Sequence, residues 1–426
     1  MNFDLMRSLL IDRALRGELF SNVTSVEAEG KSLEEEQTIP FTIPNHWQWK
    51  RVADCVQFNP KVIQDDAVEV SFIPMADVEP GFVDQCSTRQ AKPWAKVKKG
   101  FSRFQEGDLL VAKITPCFQN RKSCVAKSLI NGTGAGSTEF HVMRCVSGVD
   151  AKFLLYFFKS EYFIRYGVNH FNGTVGQQRV GAQDIKDCLI PVPSVEEQVR
   201  IVAKLEDAFA EIDRAEKAYE ELQTLAGVLR GQILQEAIQG KLVPQLAEEG
   251  VVEQIGAAPE EVPFEIPESW KWMQFKRTCS SLDGKRIPLK KDDRAKREKR
   301  YPYYGATGVI DFVDDYIFDG VFLLIGEDGA NLLSRSKDNA FIASGKIWVN
   351  NHAHVFEENG VADLRYLALM INATSLNPYV TGSAQPKLTQ KNLYSIPVPI
   401  PPVKEQVRIV AKVEELLTQV AALSTR

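Results

Sequence analysis

The chain has 426 residues, of which 44% are apolar and 25% charged, and a formal net charge of −5. This is the size of two or three domains with ordinary soluble composition, and the lack of any run of eighteen apolar residues excludes a membrane-spanning helix. Seven cysteines without a CxxC pair argue against a disulfide framework or a zinc site and for reduced thiols in the cytoplasm.

The N-terminal MNFDLMRSLLIDRALRGELF reads as an amphipathic helix. It carries acids and no small-residue cleavage site, so it is not a signal peptide. Acidic residues then crowd 27–36, and again 196–221 and 248–268. Residues from about 47 to 189 have a β-rich pattern, with short apolar runs such as VSFIPMADV (70–78) and DLLVAKI (108–114) bounded by Gly and Pro. The basic residues gather here. Lys92, Lys96, Lys98, Lys99 and Arg103 lie in 91–104 without an acid. Lys113, Arg121 and Lys122 follow, in a polar loop with Thr115 and Asn120, and Thr138 sits in the Gly-rich NGTGAGSTEFHVM. A polyanion meets local potential and not the net charge, although a single charged run is more often a solvated face.

A long helix is predicted from about 195. Val195, Val199, Val202, Leu205, Phe209, Ile212, Ala215, Tyr219, Leu222, Leu225 and Leu229 recur in steps of three and four. Ser194 is placed as N-cap with Glu197 three residues on, and Gly240 and Pro244 end the helix. About 45 residues at 1.5 Å each span roughly 65 Å. A second variable stretch runs to about 395. It holds Lys285, Arg286, Lys290 and Lys291 in a basic cluster beside YPYYGATGVI, with Tyr303, Tyr304 and Thr307. Asn331, Arg335 and Asn351 lie further on, between strand-like runs at 316–326 and 346–356. Basic side chains next to planar ones suit phosphate contacts with stacking, although the two tyrosines are equally expected in a core. Both variable stretches end in a Gly–Thr/Ser loop with Gln and a base, Gln177 and Arg179 in one, Gln385 and Lys387 in the other. Such side chains read adenine and guanine edges.

EQVRIVAK occurs at 197–204 and 405–412, each time after IPVP. IPNHWQW at 43 returns as IPESWKW at 266, and at that offset of 223 the segment 7–20 matches 230–243, pairing Gly17 with Gly240. The chain's two ends together therefore copy its middle. A circular pseudo-twofold with neighbouring termini is expected, in which two long helices pair antiparallel. The repeated polar residues Glu197, Gln198, Arg200 and Lys204, returning as Glu405, Gln406, Arg408 and Lys412, suggest one surface used twice.

An IPxPxxxEQxxI-type motif opening a long helix, present twice, with variable inserts and the LQEAIQGKLVPQ tail at 234–245, resembles the specificity subunit of type I restriction–modification systems. FIPMADV, KKGFSRFQEGDLLVAKITPC and STEFHVMR resemble one family of target recognition domains, and YPYYGATGVIDFVDDYIFDGVFLLIGEDGANL another. The resemblance implies an α+β protein. Two globular target recognition domains of mixed α/β type would be separated by two long antiparallel, coiled-coil helices that set the unread gap. The expected parts are an N-terminal helix (1–22) completing the second conserved helical region, a first recognition domain (40–193) and the central helix (194–245). An acidic linker (246–265), a second recognition domain (266–399) and a C-terminal helix (400–426) follow. The implied ligand is double-stranded DNA with an asymmetric bipartite target. The implied partners are two methyltransferase subunits, docked on the conserved helices at the repeated residues from Glu197 to Lys204 and Glu405 to Lys412, which bind S-adenosylmethionine and methylate adenine N6, and two motor–nuclease subunits; Mg and ATP belong to those partners.

The chain itself is expected to hold no cofactor, no metal and no catalytic residue. Asn377-Pro378-Tyr379 lacks the second proline of a methyltransferase motif, and no P-loop or helicase box is present. The five histidines, including His352 and His354 two apart, show no metal-ligand spacing. Two other functions compete: a two-headed coiled-coil scaffold binding only proteins, and a stand-alone methyltransferase or nuclease with degenerate motifs.

Overall fold

The computed structural model describes residues 1–20, 39–86, 90–174, 176–382 and 384–425. The acidic stretch at 27–36 lies outside the described residues. The chain divides into two units, Met1–Ala218 and Tyr219–Arg426. Each has the same order, a helix, an insert of strands and short helices, and a second helix. The boundary falls within one helix of 44 residues, Val195–Ile238, so this central helix closes the first unit and opens the second. Among the described residues no helix is long and apolar enough to cross a membrane.

In the first unit the N-terminal helix, Phe3–Leu15, begins at Asn2, whose side chain accepts the Leu5 N–H at 2.9 Å. Asp4 in the first turn faces the positive end of the helix dipole. Ile11, Ala14 and Leu15 share a core with Val202, Leu205 and Phe209 of the central helix. Arg7 reaches Asp213 at 2.6 Å and Glu216 at 2.5 Å, while Phe20 lies 5.3 Å under the Arg200 guanidinium. Partners fall in number as the first helix ascends, so the two helices run antiparallel.

The insert of this unit opens with β1 (Gln48–Arg51), which pairs antiparallel with β12 (Leu189–Val192), Trp49 opposite Pro191. Between them lie two four-stranded sheets. One has the order β2 (Val56–Phe58), β9 (Phe140–Cys145), β6 (Leu109–Ala112), β7 (Ser123–Val125), all antiparallel. β6 is the run LLVA, buried at all four positions, as expected of a central strand covered on both faces. The other has the order β4 (Gln90–Pro93), β3 (Glu69–Ile73), β8 (Thr133–Gly136), β5 (Ser102–Gln105), with β3 and β8 parallel. A ribbon of β10 (Phe171–Asn172) and β11 (Arg179–Val180) follows the helices Ala151–Lys159 and Glu161–Asn169.

The second unit repeats the frame with a different insert. β13 (Lys271–Gln274) pairs with β20 (Pro397–Ile400), Trp272 opposite Pro399. A single six-stranded sheet lies between, in the order β14 (Ser280–Ser281), β19 (Ala353–Glu357), β17 (Phe318–Gly326), β18 (Ala340–Val349), β15 (Tyr301–Gly305), β16 (Gly308–Val313). Ile233, Leu234, Ala237 and Ile238 of the central helix share its core with Ile409, Val410 and Val413 of the C-terminal helix, Val403–Thr425.

The frame explains the repeated sequence. Gly17 and Gly240 end their helices at φ +76° and +71°. A Cβ there would stand 2.4 Å from Pro44 and 2.5 Å from Pro267, close also to Trp47 and Trp270, so the IPxxW segment folds over a glycine that nothing larger can replace. Prolines on a two-stranded ribbon cost no ladder hydrogen bond when their N–H side faces outward. The helix stripe is more limited than its spacing suggests. Val202, Leu205 and Phe209 are buried, but Val195, Val199, Leu225 and Leu229 are exposed. The buried face at the helix start is instead Gln198, Ile201, Val202, Leu205, about one position round from the valines.

Candidate nucleic-acid interface

In the first unit, β6 runs out into Lys113, and the segment 177–180 lies alongside it. The Val180 N–H donates to the Lys113 carbonyl at 3.0 Å, and Thr115 N–H to the Gln178 carbonyl at 3.0 Å. His141 on β9 is buried, with Nε2 3.1 Å from the Val180 carbonyl. A carbonyl only accepts, so Nε2 carries the proton, and burial holds the ring's pKa below its ordinary value. Beside these contacts lies a cleft of about 670 Å³ lined by Arg103, Lys113, Thr138 and Arg179 among others, with no carboxylate among the described residues of its lining. Four of the predicted contact residues thus meet in one place. Phe101, exposed, adds an aromatic face. Arg179 donates from Nε and Nη2 to the two oxygens of Glu139, both at 2.9 Å, and from Nη1 to the Gln177 carbonyl at 3.0 Å. The guanidinium holds the Glu139 carboxyl below the usual carboxylate range. Gln177 is exposed beside it.

The other predicted residues of this unit divide in two. Lys96 and Lys99 are exposed, Lys98 pairs with Asp66 at 2.6 Å, and Lys92 sits 3.3 Å over the Phe72 ring. Thr115 donates its hydroxyl to Gln119. Asn120 and Arg121 line a different cleft, with Asp4, Asp84, Glu206, Asp213 and Glu216, where a phosphate would meet repulsion. Arg121 is also held inward, on Glu161 at 2.5 Å and the Lys159 carbonyl at 2.9 Å. Lys122 donates to the Met75 carbonyl at 3.1 Å. Both basic side chains satisfy internal acceptors that the local sequence does not reveal.

Lys159, fully buried, donates to the carbonyls of Gly81 and Arg121 at 2.8 and 3.0 Å. Burial lowers its pKa to about 8. The unfolded chain therefore binds more protons than the folded one between about pH 8 and the free-lysine pKa of about 10.4. Lys159's contribution to stability rises with pH across that window. Urea denaturation should show the stability of wild type minus that of Lys159→Met rising by up to about 3 kcal/mol from pH 8 to pH 10.5; a difference that stays constant would contradict the assignment.

The second unit builds an equivalent place from different residues. β17 runs out into Glu327, Leu388 N–H donates to the Glu327 carbonyl at 2.8 Å, and His354 on β19 holds the Leu388 carbonyl at 2.9 Å through Nε2. Val180 and Leu388 are 208 residues apart, as are Arg179 and Lys387. Lys387 pairs with Glu327 at 3.2 Å, so in both units the loop's basic residue rests on a glutamate. Lys285, Lys290, Lys291, Asn351, Gln385 and Lys387 are exposed here. Thr307 is half-buried in the turn between β15 and β16.

Several expectations are corrected in this unit. Tyr303 is core: it is 1% exposed, and its hydroxyl accepts the Leu289 N–H. Tyr304 is half-buried and stacks on Phe341. Arg286 joins Glu327 at 2.7 Å and the Ala353 carbonyl at 2.7 Å. The Asn331 side chain is occupied by Lys337, Asn339 and Ser336, and Arg335 donates to the carbonyls of Ile371 and Asn372. His352 and His354 each bond a separate aspartate, Asp328 and Asp283. Among the described residues no His, Cys, Asp or Glu group is arranged for a metal.

The repeated polar residues also need correction as a docking surface. Gln198 and Gln406 are 0% exposed. Gln198 accepts the Asp150 N–H at 2.8 Å and donates to the carbonyls of Pro193 and Gly148. Gln406 accepts the Asp363 N–H at 2.7 Å and donates to the carbonyls of Pro401 and Val361. They repeat because each clamps its helix start to the insert. Glu405 is buried and accepts the Trp270 indole N–H at 3.0 Å, with burial raising its pKa. Glu197 turns instead to His46 at 3.1 Å. Arg408 is pinned to Glu249 at 2.6 Å and Lys412 to Glu415 at 2.9 Å. Arg200 and Lys204 remain exposed. What the two copies expose in common is apolar: Val195 and Val199 match Val403 and Val407, and Leu5 and Met6 match Val228 and Leu229.

The family model described as the type I restriction modification DNA specificity domain matches residues 44–224 and again 267–425. The chain belongs to the type I restriction–modification specificity family. It is 30% identical over 370 residues to the type I restriction enzyme EcoAI specificity subunit of Escherichia coli, in an alignment covering 66% of this chain and 63% of that relative. The EcoEI specificity subunit of the same organism is 24% identical across 99% of this chain and 90% of its own. A solved chain from a study of type I R-M assembly shares the fold, with a TM-score of 0.70 at 17% identity, over 91% of this chain and 94% of that one. For a specificity-family member, the two matches starting at 44 and 267 mark the same internal repeat as IPNHW and IPESW.

Proposed function

We propose that the chain is the non-catalytic, DNA-reading subunit of a type I restriction–modification complex, one unit reading each half of a split and asymmetric target. The observation that carries this reading is a pair of equivalent places with unlike side chains. Arg103, Lys113, Thr138 and Arg179 line one; at the other Lys387 rests on Glu327, with Gln385 exposed two residues before it. A repeat that keeps its frame and changes its lining suits two different half-sites. S-adenosylmethionine, Mg and ATP belong to the partners, two methyltransferase and two motor–nuclease subunits. The exposed valines at the two helix starts, with Arg200 and Lys204 beside them, are the docking surface for the methyltransferases.

Phosphate contacts position a protein on DNA and base contacts specify. Lys99→Ala combined with Lys113→Ala should weaken binding to every duplex alike and lower the slope of log K against log salt by about 2. Gln385→Ala should alter base preference in the second half-site alone. Filter binding between 50 and 200 mM salt reads both, and a sequence-dependent loss from the lysine pair would reverse the assignment. Methyl transfer by the isolated chain with S-adenosylmethionine would contradict the non-catalytic reading.

A further inference from the structure

The glutamate under Arg179 works against a simple phosphate contact. A carboxylate on the guanidinium cancels most of its attraction for a polyanion, yet Arg179 lines a cleft together with two further cations, Arg103 and Lys113. What the carboxylate supplies is orientation. Two parallel bonds from Nε and Nη2 fix the plane of the guanidinium, and the bond from Nη1 to the Gln177 carbonyl fixes it further. Of the five guanidinium N–H donors, three are engaged and two remain, on a side chain that is 44% exposed. A pair of donors held in a plane matches the O6 and N7 acceptors that guanine presents in the major groove. An unoriented arginine would lose side-chain entropy on binding that this one has already given up.

The second unit offers the contrast. Lys387 occupies the equivalent position on Glu327, but an ammonium is a point charge without a fork. Glu327 is also engaged by Arg286, so it is committed to the domain interior, whereas Glu139 has Arg179 as its ion-pair partner.

We propose that Arg179 reads a guanine in the first half-site and that Glu139 is the positioning residue that sets its fork. This deepens the DNA-reading function above and rests on it. The experiment uses the full chain assembled with its methyltransferase partner. The wild-type target is mapped first, and affinity is then measured for a set of labelled duplexes, each changed at one base pair. Arg179→Lys keeps the charge and removes the fork; it should cut the preference for guanine at one position of the first half-site roughly ten- to hundredfold. Glu139→Gln keeps an acceptor but not the paired carboxylate, and should weaken preference at that same position by at least threefold. Preferences in the second half-site should be untouched by either change, which also reports that both variants are folded. A first half-site without a G·C pair overturns the proposal, as does an Arg179→Lys variant with every preference intact or a uniform loss across all positions. Failure of the wild-type complex to bind any sequence preferentially would instead remove the DNA-reading function beneath it.

Discussion

Gln198→Leu should destabilise the first unit by about 3–6 kcal/mol, and Gln406→Leu the second by a similar amount. Each glutamine is fully buried and holds three backbone groups, one N–H and two carbonyls. Leucine fills the volume but leaves those groups without partners, and a buried orphan costs about 1–3 kcal/mol. Gln198 also fixes Asp150, the N-cap of the Ala151–Lys159 helix, and Gln406 fixes Asp363, the N-cap of the Leu364–Ala373 helix. Against a stability of about 5–15 kcal/mol for a domain, the loss approaches unfolding. The two sites share no partners, so the double variant should lose the sum of the single losses. Urea denaturation of the full chain reads all three. Changes under about 1 kcal/mol would mean that the repeated glutamine is a surface residue after all.

A second large effect is expected on assembly. Val199→Asp together with Val407→Asp should abolish capture of the methyltransferase while leaving thermal denaturation little changed. Both valines are about half exposed, at 52% and 45%, so they contribute little to the fold. At an interface each would become the centre of an apolar contact, and an unpaired carboxylate buried there costs about 2–4 kcal/mol or more. With one methyltransferase docked at each copy, each dissociation constant rises by about thirty- to a thousandfold. Arg200→Ala, at the rim, should cost far less. Co-purification with the partner subunit measures this; undiminished capture by the double aspartate variant would move the docking surface elsewhere.

The frame of the molecule was legible because its constraints are local and repeated. Gly17 and Gly240 need a left-handed backbone against a proline, and IPVP needs a two-stranded ribbon; such residues announce themselves twice. The long helix was legible from its periodicity. Its buried face was not, because a glutamine at a helix start looks solvent-facing until the carbonyls it clamps are known. The places of Asn331, Arg121 and Lys122, and the choice of core for Tyr303, are hidden from the sequence in a similar way. Tyr303, Arg121 and Lys122 bond backbone groups 14, 38 and 47 residues away, whereas the Asn331 side chain is held by Ser336, Lys337 and Asn339 in its own loop. The equivalence of His141 and His354 was hidden by a change of spacing. They stand 213 residues apart, whereas the carbonyls they hold, on Val180 and Leu388, stand 208 apart. The basic residues that share the cleft with Thr138, namely Arg103, Lys113 and Arg179, come from three separate stretches, on β5, after β6 and on β11, which belong to two sheets and a ribbon.

The central claim is that one chain carries two unlike DNA-reading units. Its most direct test is to co-express the chain with its methyltransferase partner and map methylated adenines across the host genome. The expected motif has two different half-sites at one fixed spacing. Recovery of identical inverted half-sites, or of a single uninterrupted motif, would contradict it.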